Sequence, residues 1–168
     1  SLISLGPVPQ FKPIASMPGQ HVWSVDKAVD AAAAAYDAGI PSVILFGIPE
    51  KKDAVGSEAW SANGVVQRAI KAIKKRCPEL VVVADACFCE YTDHGHCGVI
   101  HERELDNDAS LENLARTVVS YARAGVDIVA CGTCVGFFAV QDRLVVGRVS
   151  DMQEIAALLT SAESVVTV

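Results

Sequence analysis

Between Asp85 and Gly98 the chain reads DACFCEYTDHGHCG, which sets three cysteines, two histidines and two aspartates within fourteen residues. Cys87 and Cys89 stand two apart, so in an extended segment their thiols leave on the same side. Cys97 returns after a turn containing Gly95. Three thiolates from one loop suit zinc, which takes sulfur and nitrogen ligands in tetrahedral geometry. Three protein ligands leave a fourth position for water or substrate, the pattern of a catalytic rather than a closed structural site. The competing reading makes these thiols inert small hydrophobes, since free cysteine is often buried. A polar loop with two histidines is a poor place for that. His94 and His96 read first as hydrogen-bond partners of the loop, and His96, beside Cys97, is the candidate for an auxiliary or second-metal ligand.

A second close pair, Cys131 and Cys134 in CGTC, has the Cys-x-x-Cys spacing of a thioredoxin-type redox centre. That motif normally opens a helix, and the apolar VGFFAV behind it does not announce one. Extra zinc ligands or ordinary buried thiols are the alternatives.

These residues need a scaffold. Ser24 is placed to cap VDKAVDAAAAAYDAG, with Val25, Ala28, Val29 and Ala32 on one face and Gly39 closing it. SVILFG follows as a short buried strand. After a long polar loop, Val65, Val66, Ala69, Ile70 and Ile73 mark a helix that Pro78 stops. LVVVADA is the strongest strand signal, and the cysteine loop, taken as running from Asp85 to Asn107, begins where it ends. Ser110 is placed to cap a further helix ending at Gly125, and VDIVAC is the next strand. The order helix–strand, three times over, predicts right-handed parallel βα units with strands near 42–46, 81–85 and 127–130, covered by helices. Parallel α/β proteins place chemistry at the carboxyl ends of strands, where the cysteine loop falls. Beyond Cys131, VGFFAVQ and RLVVGRV both read as strand-like and are able to pair as a hairpin. Ser150 with Gln153 forms a capping box for DMQEIAALLTSA, and SVVTV reads as a last strand.

Composition narrows the class. The chain has 168 residues, enough for one domain with a substantial core, and a formal charge of -6. An acidic chain lacks the basic face that nucleic acid requires. No apolar run is long enough to span a membrane, and SLISLGPVPQFKP lacks the basic start of a secretory signal. Closely spaced cysteines point to a reducing compartment. The cytoplasm is the first expectation and a plastid the open alternative, because a removed transit peptide leaves no trace.

The loop DACFCEYTDHGHCG closely resembles the metal loop of the zinc-dependent porphobilinogen synthase (5-aminolevulinate dehydratase) family. Four more stretches agree in order: PIASMPG at 13–19, LFGIPEKKDAVGSEA at 45–59, VVQRAIKAIKKRCPEL at 65–80 and ARTVVSYARAGVDIVA at 115–130. The resemblance implies a TIM (β/α)8 barrel lyase of tetrapyrrole biosynthesis that condenses two 5-aminolevulinate molecules with loss of two waters. It implies zinc held by Cys87, Cys89 and Cys97, an active-site Asp85, and a homo-oligomer. On this reading residues 1–15 are the remnant of an N-terminal arm, and residues 16–168 form about half of the barrel.

The resemblance also exposes a departure. The family forms Schiff bases through two lysines on later barrel strands, because a primary amine must attack a ketone and then serve as an electron sink. Here the last lysine is Lys75. After Ala130, where the family continues Pro-Ser-Asp-Met-Met-Asp-Gly-Arg-Val, this chain reads CGTCVGFFAV and rejoins the pattern only at GRV, 147–149. The chain alone is therefore expected to be inactive. The competing expectation is a non-catalytic zinc-binding half-barrel whose open sheet edges favour pairing of two copies.

Overall fold

The structure, a computed structural model, describes residues 1–137, 139, 141–144, 146–151, 153–154 and 156–157, with the side chains of Cys131 and Cys134 left out. Strand β1 (Leu2–Leu5) lies inside a five-stranded sheet, and Ile3 and Leu5 are buried. Where an N-terminal arm was expected, Ile3, Ser4 and Leu5 are instead buried in the sheet. The prolines at 7, 9 and 13 made the whole segment look like a tail, yet they follow the strand rather than interrupt it. β2 (Phe11–Pro13) runs antiparallel to β3 (His21–Trp23), and β3 joins β1 in parallel.

Helix α1 (Val25–Asp37) buries Ala28, Ala32 and Ala33 and ends before Gly39, whose φ of 87° breaks the helical path. Ser24 stands at its N-cap, but its hydroxyl donates to the Gln10 carbonyl at 2.9 Å instead of capping. β4 (Ser42–Gly47) alternates, with Val43, Leu45 and Gly47 buried. α2 (Val65–Arg76) turns Val66, Ala69, Ile70 and Ile73 inward, the spacing that puts them on one helical face. β5 (Val81–Ala84) then closes the sheet order β2-β3-β1-β4-β5, with β1, β4 and β5 mutually parallel. α1 and α2 cover the face formed by Ile3, Leu5, Val43 and Leu45. On the other face Val81 and Val83 are exposed, so the sheet carries helices on one side, as the wall of a barrel does.

The polar stretch after Cys97 holds a hairpin, β6 (Val99–His101) and β7 (Glu104–Asp106), so the loop expected to run to Asn107 is shorter. α3 (Asn107–Ala124) starts earlier than expected. Asp106 caps it by accepting from the Ala109 amide at 3.0 Å, while Ser110 lies in the first turn and donates to the Asp106 carbonyl. β8 (Val129–Cys131) occupies the expected strand but pairs in parallel with β9 (Arg148–Ser150), in a separate two-stranded sheet. Between them Gly132–Phe137 is helix α4, so the described start of VGFFAVQ, Val135–Phe137, is helical where a strand of a hairpin was expected. A short apolar run carries no period that separates helix from strand, which is why this one misled. Asp151, not Ser150, caps the following helix, its carboxylate accepting from the Glu154 amide at 2.8 Å. Most of the expected helix DMQEIAALLTSA, and the expected strand SVVTV, lie outside the described residues, and no helix among the described ones is long and apolar enough to cross a membrane.

Gly47 ties the sheet to α2 and the metal loop. A Cβ there would collide with the Tyr91 hydroxyl and come within 2.5 Å of Val66 Cγ2. Gly47→Ala is expected to lower unfolding free energy by about 1–3 kcal/mol through overpacking. Urea denaturation checks this, and a midpoint equal to wild type would show that both neighbours yield freely.

Candidate metal centre

The loop leaves β5 at its carboxyl end. The Asp85 amide extends the ladder by donating to the Leu45 carbonyl at 3.1 Å, and the Asp85 carboxylate then accepts from the Cys87 amide at 3.2 Å. That local bond turns the chain away from the sheet. Tyr121, buried on α3, fixes the same point by donating its hydroxyl to the Asp85 carbonyl at 3.1 Å. The amides of Tyr91 and Thr92 both donate to the Phe88 carbonyl, at 2.8 and 2.9 Å, and wind residues 88–92 into one tight turn. Phe88 and Tyr91 anchor that turn in a small core with Ala59, against Trp60 and Leu114.

With the turn anchored, two sulfurs gather around that of Cys87. Cys87 Sγ lies 2.7 Å from Cys89 Sγ and 3.2 Å from Cys97 Sγ, and the Phe88 amide donates to Cys97 Sγ at 3.2 Å. Buried Thr92 brings Cys97 back, its hydroxyl donating to the His96 carbonyl at 2.8 Å. Gly98 completes the return at φ 131°, where a Cβ would sit 2.5 Å from Leu105 and 2.6 Å from the Ser110 hydroxyl. Burial, more than any neighbour, pushes the Cys87 and Cys97 thiols above their ordinary range. They therefore stay protonated near neutral pH until a cation displaces the protons.

Cys89 and Cys97 thus each approach Cys87, but Cys97 lies outside the tightest group of donors. Among the described residues, the group whose donor atoms all lie within 4.8 Å of one another is Cys87, Cys89 and Glu90. Sequence reasoning passed over Glu90; its adjacency to a Cys-x-Cys pair was the available signal. His96 is exposed and outside that group. Its amide donates to His94 Nδ1 at 3.1 Å, which leaves the proton on His94 Nε2, 3.1 Å from the Ala54 carbonyl it donates to. His94 thereby straps the loop to Ala54. Cys131 ends β8 and Cys134 lies in α4; with their side chains outside the described residues, the redox reading of CGTC falls there too.

Asp53 is the other strap. Its amide donates to the Tyr91 carbonyl at 3.4 Å and its carbonyl accepts from the Asp93 amide at 3.1 Å. One carboxylate oxygen accepts from the Val55 and Ser57 amides, both at 3.0 Å, and the other from the Ser57 hydroxyl. The Ser57 hydroxyl bond, above all, holds this carboxyl below its ordinary value of 3.8. A depressed carboxyl contributes stability that is fully present above pH 3.8 and is lost as pH falls through the folded value. Asp53→Ala is expected to cost about 1–3 kcal/mol at pH 7. Denaturant midpoints at pH 7 and below pH 3.8 should show the gap from wild type closing in acid; a gap that ignores pH would assign the loss to packing.

An open hollow of about 600 Å³ lies elsewhere, lined by Pro7, Val8, Ser24, Asp26, Arg68 and Ala72 among others. None of the loop's donor residues lines it, so volume and chemistry disagree. The thiols decide, because shape without reactive groups names no reaction.

Residues 8–139 match the family model for delta-aminolevulinic acid dehydratase. The chain belongs to the delta-aminolevulinic acid dehydratase family. The match begins before Pro13 and ends after Ala130, wider on both sides than the motifs that first suggested it. The chain is 54% identical over 119 residues to the delta-aminolevulinic acid dehydratase of Bacillus subtilis, covering 71% of this chain and 37% of that protein. It is 50% identical over 139 residues to that of Synechococcus elongatus, covering 79% and 43%. It therefore spans about four-tenths of the length of these curated relatives. Among solved structures it resembles the Toxoplasma gondii delta-aminolevulinic acid dehydratase (porphobilinogen synthase) in complex with the reaction product porphobilinogen. The TM-score is 0.74 at 27% identity, over 84% of this chain and 43% of that one. The described sheet is accordingly part of the α/β barrel wall of a dehydratase-family protein.

Proposed function

We propose that this chain carries the zinc-binding portion of a porphobilinogen synthase acting in tetrapyrrole biosynthesis, with two 5-aminolevulinate molecules as its substrates and two waters released. The observation that carries the reading is the convergence of Cys87, Cys89 and Cys97 at the carboxyl end of β5. The donor set fits zinc: soft sulfurs, close together, on a loop pinned from beneath. Tetrahedral thiolates at about 2.3 Å set their sulfurs about 3.8 Å apart, so Cys89 and Cys97 swing outward from Cys87 by about an ångström while Cys97, outside the tightest donor group, draws in toward the other ligands. Bound zinc would supply Lewis acidity toward a substrate carbonyl.

The protein's own residues do the rest. Asp85 keeps the loop turned by accepting from the Cys87 amide, and its carboxylate stands at the same strand end as the thiols. Tyr121 holds the Asp85 backbone in place from α3. His96 is assigned to positioning, as an auxiliary ligand at most. A second reading, favoured by the lack of lysine in residues 76–168, is a non-catalytic zinc-binding unit acting in oligomerisation or regulation. The β5 edge, with Val81 and Val83 exposed, offers a strand for pairing with a second copy. Metal content together with borohydride trapping in the presence of 5-aminolevulinate tests the proposal: zinc bound at the thiols supports it, and zinc-free protein ends it.

A further inference from the structure

One side-chain atom at the metal loop is left without a partner by the fold. Glu90 Oε2 is buried, and it is the buried side-chain oxygen or nitrogen among the described residues that has no hydrogen-bond partner. A carboxylate oxygen withdrawn from water without a donor is costly, and buried polar atoms almost always find one. Position supplies a reason. The turn that winds residues 88–92 carries Glu90 back over the thiols, so that a carboxylate oxygen and the sulfurs of Cys87 and Cys89 all lie within 4.8 Å of one another. Zinc accepts carboxylate oxygen at about 2.0–2.2 Å beside thiolate sulfur.

We propose that Glu90 is a direct ligand of the metal, its carboxylate joining the sulfurs of Cys87 and Cys89 with which it clusters, while Cys97, outside that cluster but 3.2 Å from Cys87 Sγ, closes in as the remaining ligand on binding. This rests on the zinc-site reading above and deepens it. With three thiolates already neutralising the cation, a carboxylate is the weakest of the four donors. It is therefore the one that an incoming substrate oxygen displaces, which reconciles a four-ligand resting site with a site open to substrate.

The test uses cobalt(II) and zinc on the wild-type chain, Glu90→Gln and Glu90→Asp. Zinc affinity is read by chelator competition, and the ligand field and thiolate count are read from the cobalt d–d and sulfur charge-transfer bands. Expected are one metal per wild-type chain, an affinity at least tenfold lower in E90Q, a shifted d–d band, and charge-transfer intensity still counting three thiolates. E90D keeps the charge but shortens the reach, so it should fall between the two, and it decides the question in the same way if E90Q does not fold. Affinity within twofold of wild type and an unchanged d–d band in both variants would put water in the fourth position and overturn this inference alone. Wild-type protein that binds no metal would overturn both this inference and the reading beneath it.

Discussion

Protein purified without chelators is expected to carry one zinc per chain, and Cys87→Ala to carry none. Cys87 is the central sulfur, touching both Cys89 and Cys97, so its removal separates the two remaining thiols as well as deleting a donor. Apparent zinc affinities of about 10–16 kcal/mol for four-ligand sites apportion to about 3 kcal/mol or more per ligand, a loss of roughly 10²-fold or greater. His96→Ala should retain the metal, because His96 is exposed and makes no side-chain contact with the thiols, whereas Cys97, outside the mutual donor group too, still lies 3.2 Å from Cys87 Sγ. The pH dependence has a definite sign. Burial raises the Cys87 and Cys97 thiols, so each must lose its proton to solvent as zinc binds, and apparent affinity climbs with pH until the thiol range is reached. Below that range it drops by up to about tenfold per pH unit for every thiol deprotonated. Elemental analysis checks the stoichiometry, and thiol alkylation with and without zinc checks the ligands. Zinc-free protein whose three loop thiols alkylate at the rate of free cysteine would remove the site.

Parts of this architecture could be read directly from the residues. β4, β5 and α2 were legible because Val43, Leu45, Ile70 and Ile73 repeat with clean periods and end at Gly47 and Pro78. The β6–β7 hairpin was not. Its turn sets Glu102 and Arg103 at φ 49° and 73°, a conformation usually signalled by Asn-Gly, and neither residue gives that signal. α4 was misread because Val135, Gly136 and Phe137 follow a strand end and carry no polar face. In the metal loop, the thiols were legible from spacing alone, since two sulfurs two residues apart share a side. Glu90 was not, because its role depends on the turn closed by the Phe88 carbonyl, and that closure depends on Phe88 and Tyr91 finding a core with Ala59. Chemistry set by local spacing shows in a sequence; chemistry set by a tertiary anchor does not.

The 168-residue chain by itself is expected not to form porphobilinogen at a rate typical of enzymes, roughly 1–1,000 per second. Schiff-base chemistry needs a neutral amine, and a lysine reaches that state near pH 7 only where burial or a neighbouring cation suppresses its charge. The structure offers no such lysine. Lys12, Lys51, Lys52, Lys71 and Lys75 are exposed, and Lys27 is paired with Asp30 at 3.0 Å, which raises its pKa further. Lys74 is half-buried, but its amine donates to the carbonyls of Pro78 and Leu80, which hold it at the end of α2. No lysine lies between Arg76 and Val168. Zinc polarising a carbonyl lowers one barrier, yet it does not replace the imine that holds electrons during condensation. Borohydride reduction with 5-aminolevulinate should therefore leave no stoichiometric adduct on any lysine, whereas a polypeptide supplying the missing amines should restore trapping on itself. Stoichiometric reduction onto a single lysine of this chain, with pyrrole released, would mean that one of these seven amines is desolvated in the presence of substrate, and Lys74, already half-withdrawn from water, would be the first to examine by substitution with methionine.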